Sequence, residues 1–302
     1  MDTKNYISGN SITKSNALIN ASYRLSLNEM RVVMYGLSLI NPLGDEFPIA
    51  YEIDVSRFCS YFGINARERG FYKEIKEAVV NRFWEREMSF WDEKLNRVVK
   101  ERWLTRVEYD DKGGEIKIYF NPLLKEQLHQ LRKNFTTYFL SNISEMKSTY
   151  GVRIYEICIM EFKRNNLNKP RGAYEFDICI TDLKQRLMLK NKYKAFKDFK
   201  KYVIEKAKKE INMHSDIYID YNVIKRGRTP DKICFSISTK NKSFVKKKKK
   251  ITSKQAKKEL LKNKISDLKI FIEGVVCNSD EKLKSQTEAE ILQLEKELIA
   301  IK

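Results

Sequence analysis

Two stretches, "IDVSRFCSYFGI" (Ile53–Ile64) and "ICITDLKQRLML" (Ile178–Leu189), align without a gap. Ile53 falls on Ile178, Val55 on Ile180, Ser56 on Thr181, Phe58 on Leu183, Phe62 on Leu187 and Ile64 on Leu189. A second pair of blocks, "YKEIKEAVVNRF" and "FKDFKKYVIEKA", aligns at nearly the same offset of about 125 residues, Tyr72 with Phe196, Ile75 with Phe199 and Val79 with Val203. Each half reads as helix, strand, short helix, longer helix and β-hairpin. That is the layout of a winged helix, a helix-turn-helix with a strand before it and a two-stranded wing after it. A repeat of this length is a duplicated domain rather than a solenoid unit. The competing reading is that α+β domains share such patterns by chance.

Local signals place the elements. Asn10 to Ile19 reads as a polar lead-in, either an ordered arm or loose. Ser26 with Glu29 three residues later predicts a capping box opening a helix that Pro42 and Gly44 stop. "FPIAYEIDV" alternates as a strand, Ser56 caps the short helix "RFCSYF", Gly63 ends it, and a second helix runs from about Arg67 to Trp84. Three β-rich runs follow, "EMSFWDE", "RVVKERWLTRVEYD" and "GEIKIYF", the last two joined by the turn "DDKGG". Their aromatics suit either an interface or the core. Asn121-Pro122 opens a short helix. Ser144 caps "EMKSTYGVRIYEICIMEFKR", "AYEFDICI" is a strand and Thr181 caps "DLKQRLML". "DIYIDYNVI", the turn "KRGRTPDK" and "ICFSIS" complete the second wing. The fold class expected is α+β, two tandem winged-helix domains related by internal duplication plus a helical C-terminal tail. The domains expected are 1–135, 136–241 and a lysine-rich linker with helical tail at 242–302. In the tail, "KKKKK" (Lys246–Lys250) is a self-repelling block. Beyond it two short apolar-periodic runs form a hairpin, pair with another chain, or pack on their own domain.

The chain of 302 residues carries 59 Lys+Arg against 40 Asp+Glu, a formal net charge of +19. That excess speaks of polyanionic partners, nucleic acid first and a membrane surface second, although AT-rich coding inflates lysine counts. Five scattered cysteines without CxxC spacing and only two histidines argue against a zinc site and for reduced thiols. The first twenty residues hold no apolar signal region and no window is apolar enough to span a bilayer, so a cytoplasmic protein is expected. No metal or other cofactor is expected.

The stretch "KYKAFKDFKKYVIEKAKKEIN" (Lys192–Asn212) carries the binding chemistry. At about 100° per residue, Phe196, Phe199, Val203 and Ala207 share one face while Lys194, Lys197, Lys201 and Lys208 lie opposite. The aromatics then belong to the core, not to a stacking platform for unpaired bases. A helix with one buried face and one lysine face suits the major groove of a duplex, each ammonium displacing a counterion. The bland alternative is a solvated lysine face. With Asn191 as cap, Lys192, Tyr193 and Lys194 stand nearest to bases or phosphates. The wing adds Arg226 and Arg228 around Gly227. The first copy is less basic: Arg67 and Arg69 stand at the start of its helix, Lys73 faces out beside Glu74, Glu77 and Asn81, and Lys76 lies at the flank. An asymmetric pair is expected, with the second domain the main reader.

These residues resemble the iteron-binding plasmid replication initiators of the Rep type, the paired winged-helix family typified by the F-plasmid initiator. The resemblance rests on "ITKSNALINASYRLSLNEMRVVMYGL" (Ile12–Leu37), "STYGVRIYEICIMEF" (Ser148–Phe162) and "FKDFKKYVIEKAKKEIN" followed by "DIYIDYNVIKRGR", and covers about residues 10–240. It implies monomers that bind repeated double-stranded sites at a plasmid origin, help open an AT-rich segment and recruit the host initiator ATPase and replicative helicase. It also implies a homodimer, in equilibrium with the monomer, that represses its own gene. The DNA contacts it implies fall on Lys192, Lys194, Lys197, Lys201, Arg226 and Arg228, and less securely on Arg67, Arg69 and Lys73.

An enzyme is not expected. The chain lacks a GxxxxGK[ST] phosphate loop and a His-x-His pair, which disfavours a P-loop ATPase and a metal-dependent origin-nicking enzyme. Asp110-Asp111 reads as turn chemistry. A winged-helix transcriptional repressor is the alternative that shares the DNA-binding physics.

Overall fold

The computed structural model describes residues 11–42, 47–48, 50–64, 82–92, 96–109, 114–165, 174–240, 288–289, 291–293 and 295–296. The chain forms two compact units, Asn10–Thr239, and Met1–Gly9 with Lys240–Lys302. In the latter, the described residues 288–289, 291–293 and 295–296 are helical. The lysine block and the remainder of the expected tail helices lie outside the described residues, as do Arg67, Arg69, Lys73 and Lys76.

The larger unit opens with β1 (Ser11–Ser15), α1 (Asn16–Asn20), β2 (Ser22–Tyr23), α2 (Leu27–Ser38), β3 (Ala50–Asp54) and α3 (Val55–Tyr61). After a 3-10 turn (Phe83–Glu85) come β4 (Glu87–Asp92), β5 (Arg97–Arg102), β6 (Leu104–Tyr109), β7 (Glu115–Phe120), α4 (Lys125–Leu128), β8 (Phe135–Phe139) and α5 (Ser141–Ser144). The second half comprises α6 (Thr149–Asn165), β9 (Tyr174–Cys179), α7 (Ile180–Arg186), α8 (Phe196–Phe199), a π-helical segment (Lys200–Ile204), α9 (Glu205–His214), β10 (Ile217–Arg226) and β11 (Thr229–Thr239).

The duplication is visible bond by bond. In each half the strand before the helix-turn-helix pairs antiparallel with the second strand of the wing, giving sheet orders β3-β7-β6 and β10-β11-β9. Ile53 pairs with Ile116 as Ile178 pairs with Ile233. Phe62 N–H donates to Phe58 O, Gly63 to Ser60 O and Ile64 to Cys59 O; Leu187 donates to Leu183 O, Met188 to Gln185 O and Leu189 to Lys184 O. The matched residues Gly63 and Met188 both take a left-handed backbone, φ 62° and 54°. Glycine adopts that conformation at no steric cost, whereas Met188 must be held there by the motif around it.

Several helix starts differ from expectation. Ser26 and Glu29 do form the capping box, and the buried Glu29 also accepts two bonds from Arg86. Asn121 caps the turn at Pro122. Asp54, not Ser56, caps α3, accepting from Arg57 N–H. Thr181 caps nothing, for α7 begins at Ile180 straight out of the strand. Ser144 closes the short α5 instead of opening a long helix. The long helix starts at Thr149, after Glu210 has accepted from the N–H groups of Lys147 and Ser148. The run "RVVKERWLTRVEYD" breaks at Trp103, so β5 joins sheet β2-β4-β5 while β6 joins the wing. Trp103 and Phe90 are core residues, Trp103 meeting Tyr23 edge-on at 5.0 Å; Trp91 on β4 is exposed.

One apolar core runs from Ile12 to Ile237 through both halves. Helix α6 lies inside it, with every residue from Gly151 to Met160 buried. Its charged members Arg153 and Glu156 are therefore paired, as burial demands. The polar lead-in is also ordered: β1 pairs with β8 and buries Lys14 completely. Helix α2 crosses the first wing closely at Gly36, where an added Cβ would lie 2.6 Å from Ile118 Cδ1 and 3.2 Å from Phe120 Cζ. Gly36→Ala is expected to cost about 1–3 kcal/mol by overpacking, read by chemical denaturation. A neutral or stabilising effect would mean that the Ile118 side chain yields freely.

Candidate nucleic-acid interface

The basic helix is built on its core face. Phe199, Val203, Ile204, Ala207 and Ile211 are buried, while Lys197, Lys200, Lys201, Lys206 and Lys209 are exposed. Buried residues recur every four positions from Phe199 to Ile211. On an ideal wheel those three steps rotate Ile211 about 120° away from Phe199. The π-helical segment at Lys200–Ile204, with more residues per turn, takes up that drift and keeps the face inward.

The helix begins later than the sequence suggests. Ala195, not Asn191, is its N-cap, and no side chain caps it. Lys192, Tyr193 and Lys194 instead form the turn between α7 and α8, Lys192 N–H donating to Leu189 O and Tyr193 holding φ 52°. Lys184 on α7 pins this turn: its Nζ donates to Tyr193 O at 2.7 Å and lies 5.1 Å over the Phe199 ring. Lys192 and Lys194 stand exposed, and Tyr193 is half-buried.

The helix face and the wing are joined by side chains. Lys208 does not stand free on the outer face. Its Nζ donates to Asp220 Oδ1 at 2.6 Å and sits 5.7 Å over the Tyr221 ring. The Lys208 bond, with help from the Tyr221 N–H, lowers the Asp220 pKa. Tyr221 OH donates to Glu205, and burial followed by that bond raises its own pKa. Asn212 bonds both backbone groups of Ile219. Helix α9 and strand β10 are thus stitched at three points.

The wing turn is shorter than "KRGRTPDK". Strands β10 and β11 pair out to Arg226–Thr229, leaving Gly227 and Arg228 as a two-residue turn. Gly227 has φ 65° at the first central position, where a type II′ turn requires glycine. Arg226 and Arg228 are exposed at its tip. Among the described residues, Lys192, Lys194, Lys197, Lys201, Arg226 and Arg228 have no carboxylate partner. The first wing is different: Arg106 pairs with Glu108 at 2.6 Å and Lys117 with Glu52 at 3.2 Å.

Lys200, Lys206 and Lys209 are exposed too, beyond the cations that the periodicity singles out. An ideal wheel puts Lys200 among the buried positions, and the π turn, which arises from packing, brings it outward.

Among the described residues no group of His, Cys, Asp and Glu side chains is placed to hold a metal ion, and no helix is long and apolar enough to cross a membrane. The family description "Initiator Replication protein, WH1" matches residues 11–159, and "Initiator Rep protein, WH2" matches residues 180–237. A curated relative from Escherichia coli, "Replication initiation protein", is 25% identical over 230 residues, spanning 75% of this chain and 69% of the relative. The crystal structure of the Pi initiator protein in complex with iteron DNA superposes with a TM-score of 0.64 at 19% identity, covering 78% of this chain and 99% of that one. That superposition and the paired family matches bear out the expected architecture of two winged helices in tandem. With both winged helices matched across most of its length, the chain belongs to the replication initiator family of paired WH1 and WH2 proteins.

Proposed function

We propose that this protein binds repeated double-stranded sites at a plasmid origin and initiates replication there, with the second winged helix as the main reader. The observation that carries this reading is the row of exposed cations, without carboxylate partners among the described residues, on one helix and on the wing tip beside it. Lys197 and Lys201 face the groove, Lys192, Tyr193 and Lys194 lie in the turn just before the helix, and Arg226 and Arg228 reach an adjacent phosphate or narrow groove. Lys208 serves the interface by holding the wing strand against the helix. Arg67, Arg69, Lys73 and Lys76 supply the weaker contacts of the first half, where the wing residues Arg106 and Lys117 are already matched by carboxylates. The DNA-bound state of the Pi initiator supports the same reading. The rest of the proposal follows the family: origin opening, recruitment of the host initiator ATPase and helicase, autorepression as a dimer, and action in the cytoplasm without catalysis.

Lys197→Ala/Lys201→Ala is expected to lower the slope of log K against log salt by about two and weaken binding about 50-fold at 0.1 M salt. Lys73→Ala is expected to do less. Equal effects would sink the asymmetry. Footprinting the DNA flanking the gene is expected to show several tandem repeats; a single short palindrome would favour a plain repressor. A nicked product from supercoiled origin plasmid and divalent metal would overturn the non-catalytic reading.

A further inference from the structure

Beside the basic helix lies a cleft of about 690 Å³ whose walls include Arg24, Arg86, Lys147, Lys206, Tyr193 and Tyr202 and no carboxylate. Arg86 is neutralised by its two bonds to Glu29. Arg24, Lys147 and Lys206 are exposed, and none has a carboxylate partner among the described residues. They come from separate parts of the chain: Arg24 precedes α2, Lys147 precedes α6 and Lys206 stands on α9. The hydroxyl-bearing residues Ser26, Ser148 and Thr149 also line the cleft. One wall is aromatic. The rings of Tyr193 and Tyr202 stack at 6.1 Å with 27° between planes, Tyr202 being 49% exposed, and Lys201 Nζ lies 5.0 Å over it.

Three cations that line one concave site, with no carboxylate partner among the described residues, repel one another and raise the local concentration of anions. Hydroxyl donors beside guanidinium and ammonium groups suit phosphate oxygens. A flat tyrosine pair beside them suits the sugar next to that phosphate. Lys206 and Tyr202 stand on the same helical stretch as Lys197 and Lys201.

We propose that this cleft seats a phosphate group of the DNA backbone, so that Arg24, Lys147 and Lys206, from three separate segments, close on the duplex whose groove the helix reads. This rests on the DNA-binding reading above. A phosphate contact positions the duplex and carries no base information. Removing it therefore weakens all sequences alike.

The test compares wild type, Arg24→Ala/Lys206→Ala and Lys197→Ala/Lys201→Ala in salt titrations on a duplex carrying the origin repeats and on an unrelated duplex. Inorganic pyrophosphate is titrated into each protein in parallel. Arg24→Ala/Lys206→Ala is expected to lower the salt slope by about two and the affinity about 50-fold at 0.1 M salt, by the same factor on both duplexes. Its thermal unfolding is expected to be unchanged, because both side chains are exposed. Wild-type binding with an unaltered slope in that variant would overturn the seat while leaving the DNA reading intact. An unaltered slope with pyrophosphate binding that the variant loses would make the cleft a small-anion site, which also overturns it. Failure of the wild type to bind either duplex would remove the underlying reading itself.

Discussion

Replacing Glu156 by alanine is expected to cost about 3–5 kcal/mol of folding stability, a larger loss than any exposed substitution in this chain would give. Glu156 is fully buried on α6 and accepts from Lys14 Nζ at 2.6 Å, Arg153 at 2.8 Å, Tyr23 OH at 3.3 Å and Tyr138 OH. Lys14 and Arg153 are buried with it, Arg153 donating also to the carbonyls of Ile19 and Ala21. Without the carboxylate, two cations remain in the core with no counter-charge. Breaking such a group is far costlier than its net contribution suggests, because desolvation of the surviving ions is no longer offset. Equilibrium denaturation of the variant measures the loss. A value under about 1 kcal/mol would mean that Lys14 sheds its proton or that both cations find water.

The same carboxylate gives a pH signature. Burial alone raises its pKa, but the charges of Lys14 and Arg153 and the bonds from Lys14 and Tyr138 outweigh burial and bring it to about 2, below its ordinary 4.5. A folded-state pKa below the unfolded one means that its stabilisation is full above about pH 4.5 and is lost as pH falls through 2. Glu156→Gln is expected to remove that acid-labile component from the denaturation profile. An unchanged profile would assign the acid sensitivity to other carboxylates.

Phe199→Ala is expected to cost about 3–5 kcal/mol and to lower DNA affinity with it. The ring is fully buried under the start of the basic helix, its centroid lies 6.4 Å from that of the Phe196 ring, and it carries the Lys184 ammonium 5.1 Å over its face. Lys184 in turn holds the Tyr193 carbonyl. Removing the ring frees both the first helical turn and the loop carrying Lys192 and Lys194. Denaturation together with amide exchange over residues 190–204 checks this. Full protection there, with unchanged binding, would show that the loop is held without the ring.

Much of this fold is legible in the sequence because its signals are local. The Ser26–Glu29 capping box, the Asn121-Pro122 turn and the glycine of the second wing each involve residues within one turn of chain, and local geometry decides them. The duplication is legible for a related reason: the matched apolar positions Phe58 and Leu183, or Ile53 and Ile178, fill the same sites in two copies of one motif. The lysine face of the 192–212 stretch follows from periodicity, and the structure leaves Lys197 and Lys201 exposed.

What the sequence alone misplaces depends on partners far along the chain. Ser144 is a good cap by type, yet the long helix starts at Thr149, where Glu210 meets the free N–H groups of Lys147 and Ser148. Lys208 lies outward on a wheel, but Asp220 claims it. Lys14 belongs to a polar lead-in and is nonetheless buried, because Glu156, far along the chain, supplies its counter-charge. The cleft at Arg24, Lys147 and Lys206 joins three segments that nothing in their spacing connects. The sequence by itself determined the elements, their duplication and the sign of the binding face, since helix caps, turn glycines and apolar periods act over a few residues. Only the tertiary structure decided which cations are spent inside the protein and which remain for a ligand, since burial and ion pairing depend on distances that folding alone creates.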